Sequence, residues 1–189
     1  MHLSNQRYEE MKSEALNLIV YCHITSFPID ATMVIKKIGG CLVPYSSLNE
    51  ERLKAAYRMS EDAFSCYLNG NWLVLYNDAK NAARIKMTLL HESAHHWLNH
   101  GSDSELAEAE AAFFAKYIIA PPAIIHQLNL HDSFQIMCHF GNSIEAAEYS
   151  LNYYQKWLQH SGAKYSKKEL KLISYLQDYI NETKQREVI

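Results

Sequence analysis

The sequence lacks paired cysteines and has no long apolar run. It contains four cysteines and no CxxC pair: Cys22, Cys41, Cys66 and Cys138. A disulfide framework belongs to small secreted domains, but the N-terminal segment has acidic residues where a signal peptide needs a basic region. The apolar run from Leu16 to Tyr21 is too short for an export signal or a membrane span. We therefore expect a cytoplasmic protein with buried thiols and no membrane partner.

An excess of positive charge is also missing. The formal net charge of the 189 residues is −3, which provides no general electrostatic reason to bind nucleic acid or an anionic membrane. The hydrophobic content of 48% and the charged content of 21% are typical of a soluble globular protein. A chain of this length can bury a core without disulfides.

The hydrophobic periodicity of the first 80 residues predicts helices around a short sheet. Helical spacing covers residues 5–22, 30–38 and, more weakly, 49–59, and a strand follows Gly40, with Pro44 indicating an edge position. Two apolar segments, 63–68 and 71–76, flank the dipeptide Asn69-Gly70, which is typical of a type I′ hairpin.

The rest of the chain is predicted to be helical. One helix covers 82–99, and the capping-box spacing of Ser102 and Glu105 predicts another over 103–119, closed by Pro121 and Pro122. Further helices are expected over 132–139, over 143–159 and, after a second capping box at Ser166, to about residue 183. The predicted fold class is α+β, mostly helical, with a small antiparallel-containing sheet next to the 82–99 helix.

The sequence His91-Glu92-Ser93-Ala94-His95 matches the pattern HExxH. On a helix the two histidines lie one turn apart on one face, so both imidazoles can bind one zinc ion. Glu92 lies beside the first ligand and can act as general base toward a water molecule that the metal activates. The spacing therefore predicts a zinc hydrolase site with Glu92 as the catalytic residue.

A catalytic zinc site needs a third protein ligand. The pattern HExxHxxGxxH fails here, because position 98 is Leu and His100 is one residue out of register. We therefore expect His96 and His100 to be surface residues or to lie behind the ligands. The next helix offers Glu105, Glu108 and Glu110, and since Glu108 and Glu110 point to nearly opposite faces, at most one can face the metal. Periodicity alone does not choose between them.

Three segments together resemble the ImmA/IrrE family of zinc metallopeptidases, which are of the gluzincin type. They are NWLVLYN (71–77), RIKMTLLHESAHHWLNH (84–100) and EAEAAFFAKYIIAP (108–121). The resemblance implies a zincin-like core, Zn²⁺ as cofactor and Glu108 as the third metal ligand, with Glu110 as the alternative. The resemblance covers about residues 25–150 and not the final helix. Together with the helix pattern it predicts three segments: a metallopeptidase domain over 1–125, a helix–turn–helix-like segment over 126–160 and a terminal helix over 161–189.

The same resemblance implies a function in transcription regulation. Members of the family act on helix–turn–helix repressors and are often encoded beside them on mobile elements, so we expect a protein substrate of that kind. The family's Asn is Ala112 here, and Ala cannot bond the outer nitrogen of a ligating histidine. We therefore expect metal affinity or rate to be lowered, by about 10–100-fold for a lost partner of this kind. A non-hydrolytic regulator that binds its partner, or a toxin–antitoxin type protein, stays open as the alternative.

Two further features are interpreted as structural, and one as functional. The 131–160 segment has helix–turn–helix spacing, but Lys156 is the one cation against Asp132, Glu145 and Glu148, so no direct nucleic-acid binding is expected. An aromatic cluster at helical spacing favours core or interface packing: Tyr149, Tyr153, Tyr154 and Trp157. The strand 72–76 precedes the HExxH helix, and we expect its edge to bind the substrate backbone by strand addition.

Overall fold

A computed structural model describes residues 3–101 and 104–186 of the chain. The predicted helix cap at Ser102 lies outside these described residues. Within them the chain forms two compact units, one of residues 30–115 and one of residues 3–29 with 116–186. The division at residues 125 and 160 that the sequence indicates stays a prediction.

Ten α-helices, three strands and a short 3₁₀ turn make up the described part of the chain. In chain order they are α1 (Asn5–Tyr21), α2 (Ala31–Lys37), β1 (Gly40–Pro44), the 3₁₀ turn (Tyr45–Ser47), α3 (Glu50–Met59), β2 (Ala63–Leu68), β3 (Asn71–Tyr76), α4 (Ala82–Trp97), α5 (Glu105–Ile119), α6 (Pro122–Gln127), α7 (Ser133–Phe140), α8 (Ile144–Ser161), α9 (Lys167–Tyr175) and α10 (Gln177–Arg186). The predicted α+β class is confirmed.

The first unit contains a three-stranded sheet in the order β1-β3-β2. β1 pairs parallel to β3, and β2 pairs antiparallel to β3 through the predicted hairpin. Asn69 and Gly70 have φ angles of 51° and 78°, as a type I′ turn requires. Pro44 ends the edge strand β1, as predicted, since proline cannot donate to a central ladder.

One glycine in the sheet permits a close approach of side chains. A Cβ atom on Gly40 would lie 2.6 Å from the ring of Trp72 and 2.7 Å from Cγ2 of Ile35. These distances are too short for a Cβ atom. Ile35 of helix α2 and Trp72 of strand β3 can therefore both pack against position 40 only because that residue is glycine.

Helix α4 buries one face and leaves the other for the candidate site. Asn81 caps its start, because its side chain accepts a hydrogen bond from the backbone N–H of Arg84 at 2.9 Å. The buried face has helical spacing and is formed by Lys86, Leu89, Leu90, Ser93 and Ala94. His91 and His95 therefore lie beside this face, on a surface that is partly accessible.

In the described residues of the second unit, all of the regular secondary structure is helical. The indole Nε1–H of Trp157 donates to Glu169 at 2.7 Å, and Glu169 also forms the predicted capping box with Ser166. Tyr154 and Trp157 are buried, so the core interpretation of the aromatic cluster is confirmed for these two residues, whereas Tyr149 is exposed. None of the helices in the described ranges has the length and apolar character needed to cross a membrane.

The expectation of buried thiols is wrong for three of the four cysteines: Cys22 is buried, whereas Cys41, Cys66 and Cys138 are exposed.

Two helical predictions also need correction. Helix α6 was not predicted, because Pro121 and Pro122 were interpreted as a stop, whereas Pro122 occupies the first turn of a new helix. A single terminal helix was predicted, but the structure has two, α9 and α10. They are separated at Leu176, whose φ of −100° and ψ of 16° depart from helical values. The break is local, because Leu176 N–H still bonds Leu172 O and Ile180 N–H bonds Leu176 O.

Candidate metal centre

Helix α4 brings the two histidines of the HExxH motif together. The Nε2 atoms of His91 and His95 are 3.0 Å apart, and their ring centroids are 4.8 Å apart. Both side chains are partly buried, at 23% and 16% exposure. The four-residue spacing that predicted a shared face thus places two nitrogen atoms at one point.

Helix α5 adds a carboxylate at the same point. Glu108 Oε2 lies 3.2 Å from Nε2 of His91, and Glu108 Oε1 lies 3.2 Å from Nε2 of His95. The ligand atoms of the three residues all lie within 4.8 Å of one another. Glu110, the alternative that periodicity left open, is instead almost fully buried and contacts His100.

The spacing of these three groups suits a small divalent cation. Tetrahedral ligands at the usual zinc bond lengths of about 2.0–2.1 Å are about 3.3 Å from one another. The observed separations of 3.0–3.2 Å are close to that value. Three groups that can each offer a lone pair therefore converge at distances that a bound metal ion would produce.

An open cleft of about 840 Å³ gives solvent and larger molecules access to this point. Its lining includes His91, Glu92, His95 and Glu108, together with residues from β2 and the first turns of α4. The Glu108 side chain is 53% exposed. The three protein groups thus occupy one side of the point where they converge, and the cleft occupies the other.

Glu92 lies in the cleft with the two histidines, as its position in the motif predicted. Its negative charge also contributes to raising the pKa of Tyr45 to about 12, although burial of the phenol is the main cause. The Tyr45 hydroxyl donates to the backbone carbonyl of Ser60 at 3.0 Å. Glu92 therefore lines the cleft and lies near enough to Tyr45 to influence it, and Tyr45 stays protonated at neutral pH.

His96 and His100 differ in what they contact. His96 stacks on the Trp72 ring, with centroids 3.9 Å apart, and its Nδ1 lies 3.0 Å from the Tyr67 hydroxyl. Burial lowers the pKa of His96, and a backbone hydrogen bond with Ile38 opposes that change. His100 lies behind a histidine of the motif, with its Nδ1 3.1 Å from Nδ1 of His95. The sequence predicted that these two histidines lie either at the surface or behind the ligands, and His100 lies behind His95.

This contact changes the expectation drawn from Ala112. An outer partner for a ligating histidine was expected to be missing because Ala replaces Asn. The outer nitrogen of His95 nevertheless has a partner, supplied by His100. For His95, the substitution at position 112 therefore gives no reason to expect weaker metal binding.

The predicted substrate edge is wrong. β3 is the central strand of the sheet, with β1 on one side and β2 on the other, so its backbone groups face neighbouring strands. β1 and β2 are the outer strands, and β2 is the one that contributes residues to the cleft beside the histidines: Ala63, Phe64, Ser65 and Tyr67. The sequence identified the hairpin but not which of its strands lies at the edge, because that depends on the pairing of β1.

The ion pair between Arg84 and Asp62 at the cleft was not predicted from the sequence. Arg84 donates two hydrogen bonds to Asp62, and this interaction lowers the pKa of the Asp62 carboxyl group. Both residues line the cleft, as does Met59, whose side chain is largely exposed. Residues 62 and 84 are 22 positions apart, so no local pattern could have paired them.

Comparison with known families gives an independent result. The family model described as the IrrE N-terminal-like domain matches residues 40–152, which is more than half of the chain. The match contains β1, the hairpin and both helices that carry the His/His/Glu group. A search of curated protein sequences found no match.

Proposed function

Because the chain belongs to the IrrE N-terminal-like peptidase family, as its resemblance to ImmA/IrrE predicted, we propose that it is a zinc-dependent endopeptidase. The observation that carries the proposal is the convergence of His91, His95 and Glu108 beside Glu92 in one open cleft. The two imidazoles and the carboxylate are the ligands. Two histidines and one glutamate are a common ligand set for catalytic zinc.

A zinc ion held there supplies Lewis-acid chemistry, because it polarises a carbonyl group and makes water acidic near neutral pH. Glu92 accepts the proton of the attacking water and passes it to the leaving amine. The three ligands come from two helices, His91 and His95 from α4 and Glu108 from α5. The open side of the site faces the cleft, where a peptide bond can approach.

We propose that the substrate is an extended protein segment that pairs with the outer edge of β2. An exposed strand edge offers backbone donors and acceptors, and a peptide added there passes the residues that line the cleft. Met59 and Tyr67 are largely exposed at the cleft, so they offer apolar contacts to the side chains of such a peptide. The proposed target is a helix–turn–helix repressor, and this choice rests on the family resemblance alone.

The test uses Glu92→Gln, which removes the base and keeps the shape of the side chain. Glu105→Gln is the matched control, because Glu105 is an exposed glutamate in the first turn of α5. The three proteins are incubated with helix–turn–helix repressors encoded next to the gene, and fragments are identified by mass spectrometry. We expect Glu92→Gln to bind zinc as the wild type does and to lose cleavage by about 10²–10⁴-fold.

Two results would contradict the proposal. Undiminished cleavage by Glu92→Gln would refute the role of Glu92 as base. Relief of repression that survives Glu92→Gln in cells would show that the protein acts by binding its partner rather than by hydrolysis. Removal of zinc by a chelator should abolish cleavage by the wild type, and zinc should restore it.

A further inference from the structure

His95 has a chain of two polar side chains on the side opposite the proposed metal. Its Nδ1 atom lies 3.1 Å from Nδ1 of His100, and His100 Nε2 lies 3.0 Å from Oε2 of Glu110. The chain is almost closed to solvent, because the side chains of His100 and Glu110 are only 9% and 3% exposed.

The end of helix α4 explains how His100 reaches this position. Asn99 has a φ of 54°, in the left-handed region, and its N–H bonds the carbonyl of His96. The next N–H, that of His100, bonds the carbonyl of His95 at 3.0 Å. This pair of hydrogen bonds is the Schellman motif, which turns the chain back over the last helical turn. The backbone bond and the side-chain contact therefore join the same two residues.

Glu110 comes from helix α5, two residues after Glu108. Two residues correspond to a rotation of about 200° around a helix, so these carboxylates point to nearly opposite faces. One face brings Glu108 to the Nε2 atoms of the motif, and the other brings Glu110 to His100. A single helix thus supplies one carboxylate to the metal side of His95 and one to its outer side.

The hydrogen positions follow from the chemistry of the partners. A carboxylate can only accept a hydrogen bond, so Nε2 of His100 carries the hydrogen that faces Glu110. In the neutral ring, Nδ1 of His100 then presents a lone pair, which accepts the hydrogen on Nδ1 of His95. Nε2 of His95 is left with its lone pair, directed toward His91 and Glu108. This is the tautomer that a metal ligand needs.

We propose that Glu110 and His100 are positioning residues that fix the tautomer and the ring orientation of His95 and thereby raise the metal affinity of the site. The proposal rests on the metal site proposed above and extends it to two residues that contact no reacting atom. Partners of this kind typically change metal affinity or activity by about 10–100-fold.

The experiment measures the zinc dissociation constant by competition with a chromophoric chelator at fixed pH. His100→Leu removes the acceptor, whereas His100→Asn keeps an oxygen near the position of Nδ1. His96→Leu is the matched control, because His96 is also a histidine at the end of α4 but contacts Trp72 and Tyr67 instead. We expect about 10–100-fold weaker binding for His100→Leu, partial recovery for His100→Asn, and no change for His96→Leu.

Glu110→Gln tests the contact between His100 and Glu110, and it keeps the volume of the side chain. Its amide can either donate or accept, so the tautomer of His100 is no longer dictated. We expect a smaller loss of affinity, and we expect no further loss when Glu110→Gln is added to His100→Leu, because Glu110 acts through His100. Thermal unfolding of each metal-free variant separates weaker binding from loss of the fold.

Nitrogen-15 NMR of the histidine rings gives a readout that a purely structural ion pair would not move. In the zinc-loaded wild type, hydrogen should be found on Nδ1 of His95 and on Nε2 of His100. A wild-type dissociation constant in both His100→Leu and Glu110→Gln, or hydrogen on Nδ1 of His100, would overturn the proposal. A wild-type protein that binds no zinc would instead overturn the metal site itself, so the two failures are distinguishable.

Discussion

The histidines of the candidate metal centre have different partners from two histidines of the second unit. In the first unit, the imidazoles of His91 and His95 face each other and the Glu108 carboxylate. In the second unit, Nδ1 of His126 lies 2.5 Å from the Tyr165 hydroxyl oxygen, and Nε2 of His139 lies 2.5 Å from the Tyr179 hydroxyl oxygen.

The difference lies in what the partners can donate. A tyrosine hydroxyl donates or accepts, so it completes a hydrogen bond with either histidine nitrogen and needs nothing between the two groups. Two imidazole nitrogens and a carboxylate that converge on one point can all present lone pairs there, which is the arrangement that a bound metal ion needs. Histidine alone is therefore uninformative, and convergence with a carboxylate is the feature that indicates a metal site.

The largest effect should come from removing a ligand and comparing it with a histidine of the second unit. We expect His95→Ala to weaken zinc binding by more than about 100-fold, because a direct ligand should exceed the 10–100-fold effect of an outer partner. His126→Gln should keep the wild-type dissociation constant. Metal analysis after dialysis and chelator competition measure both, and tight binding by His95→Ala would break the comparison.

A lysine on the buried face of helix α4, Lys86, lies outside the set of residues that line the cleft. Burial lowers the pKa of Lys86 from 10.5 to about 8. Between these two pH values the unfolded chain binds more protons than the folded chain, so this lysine makes the free energy of unfolding rise with pH, by roughly 1–3 kcal/mol over the window. Below about pH 8 the contribution is constant.

Lys86→Met should abolish this increase of the free energy of unfolding with pH. Lys54→Met should retain the increase, because Lys54 is largely exposed. Urea unfolding of the three proteins at pH 7.5 and at several values up to about 10.5 isolates the difference. Parallel pH profiles for the wild type and Lys86→Met would contradict the assignment.

The smallest effect is expected at the tyrosine partner in the second unit. The Tyr165 hydroxyl accepts from the side chain of Gln127 at 2.8 Å and bonds His126. Tyr165→Phe should therefore lower the free energy of unfolding by about 1–2 kcal/mol, because it removes two hydrogen bonds and the usual net value of one is about 1 kcal/mol. Zinc affinity should stay unchanged. A large loss of zinc binding would show that the histidine–tyrosine pair is more than structural.

Much of the local structure could be predicted because it depends on neighbouring residues. Asn69-Gly70 fixes a hairpin, and Ser166 with Glu169 fixes a helix start, since each requires side chains within a few positions. Pro122 was misinterpreted because proline both ends one helix and begins the next, and local pattern does not separate the two roles.

The sequence by itself determined the shared face of the HExxH motif, because two histidines four positions apart share a helical face wherever that helix lies. It also indicated the family, through motifs whose spacing is local. Tertiary structure decided what depends on two segments distant in sequence: that Glu108 and not Glu110 meets His91 and His95, that β3 is central while β2 lies at an edge, and that His100 lies behind His95. Periodicity gives the direction of a side chain around its own helix, but only the packing of one helix against another determines what that side chain meets.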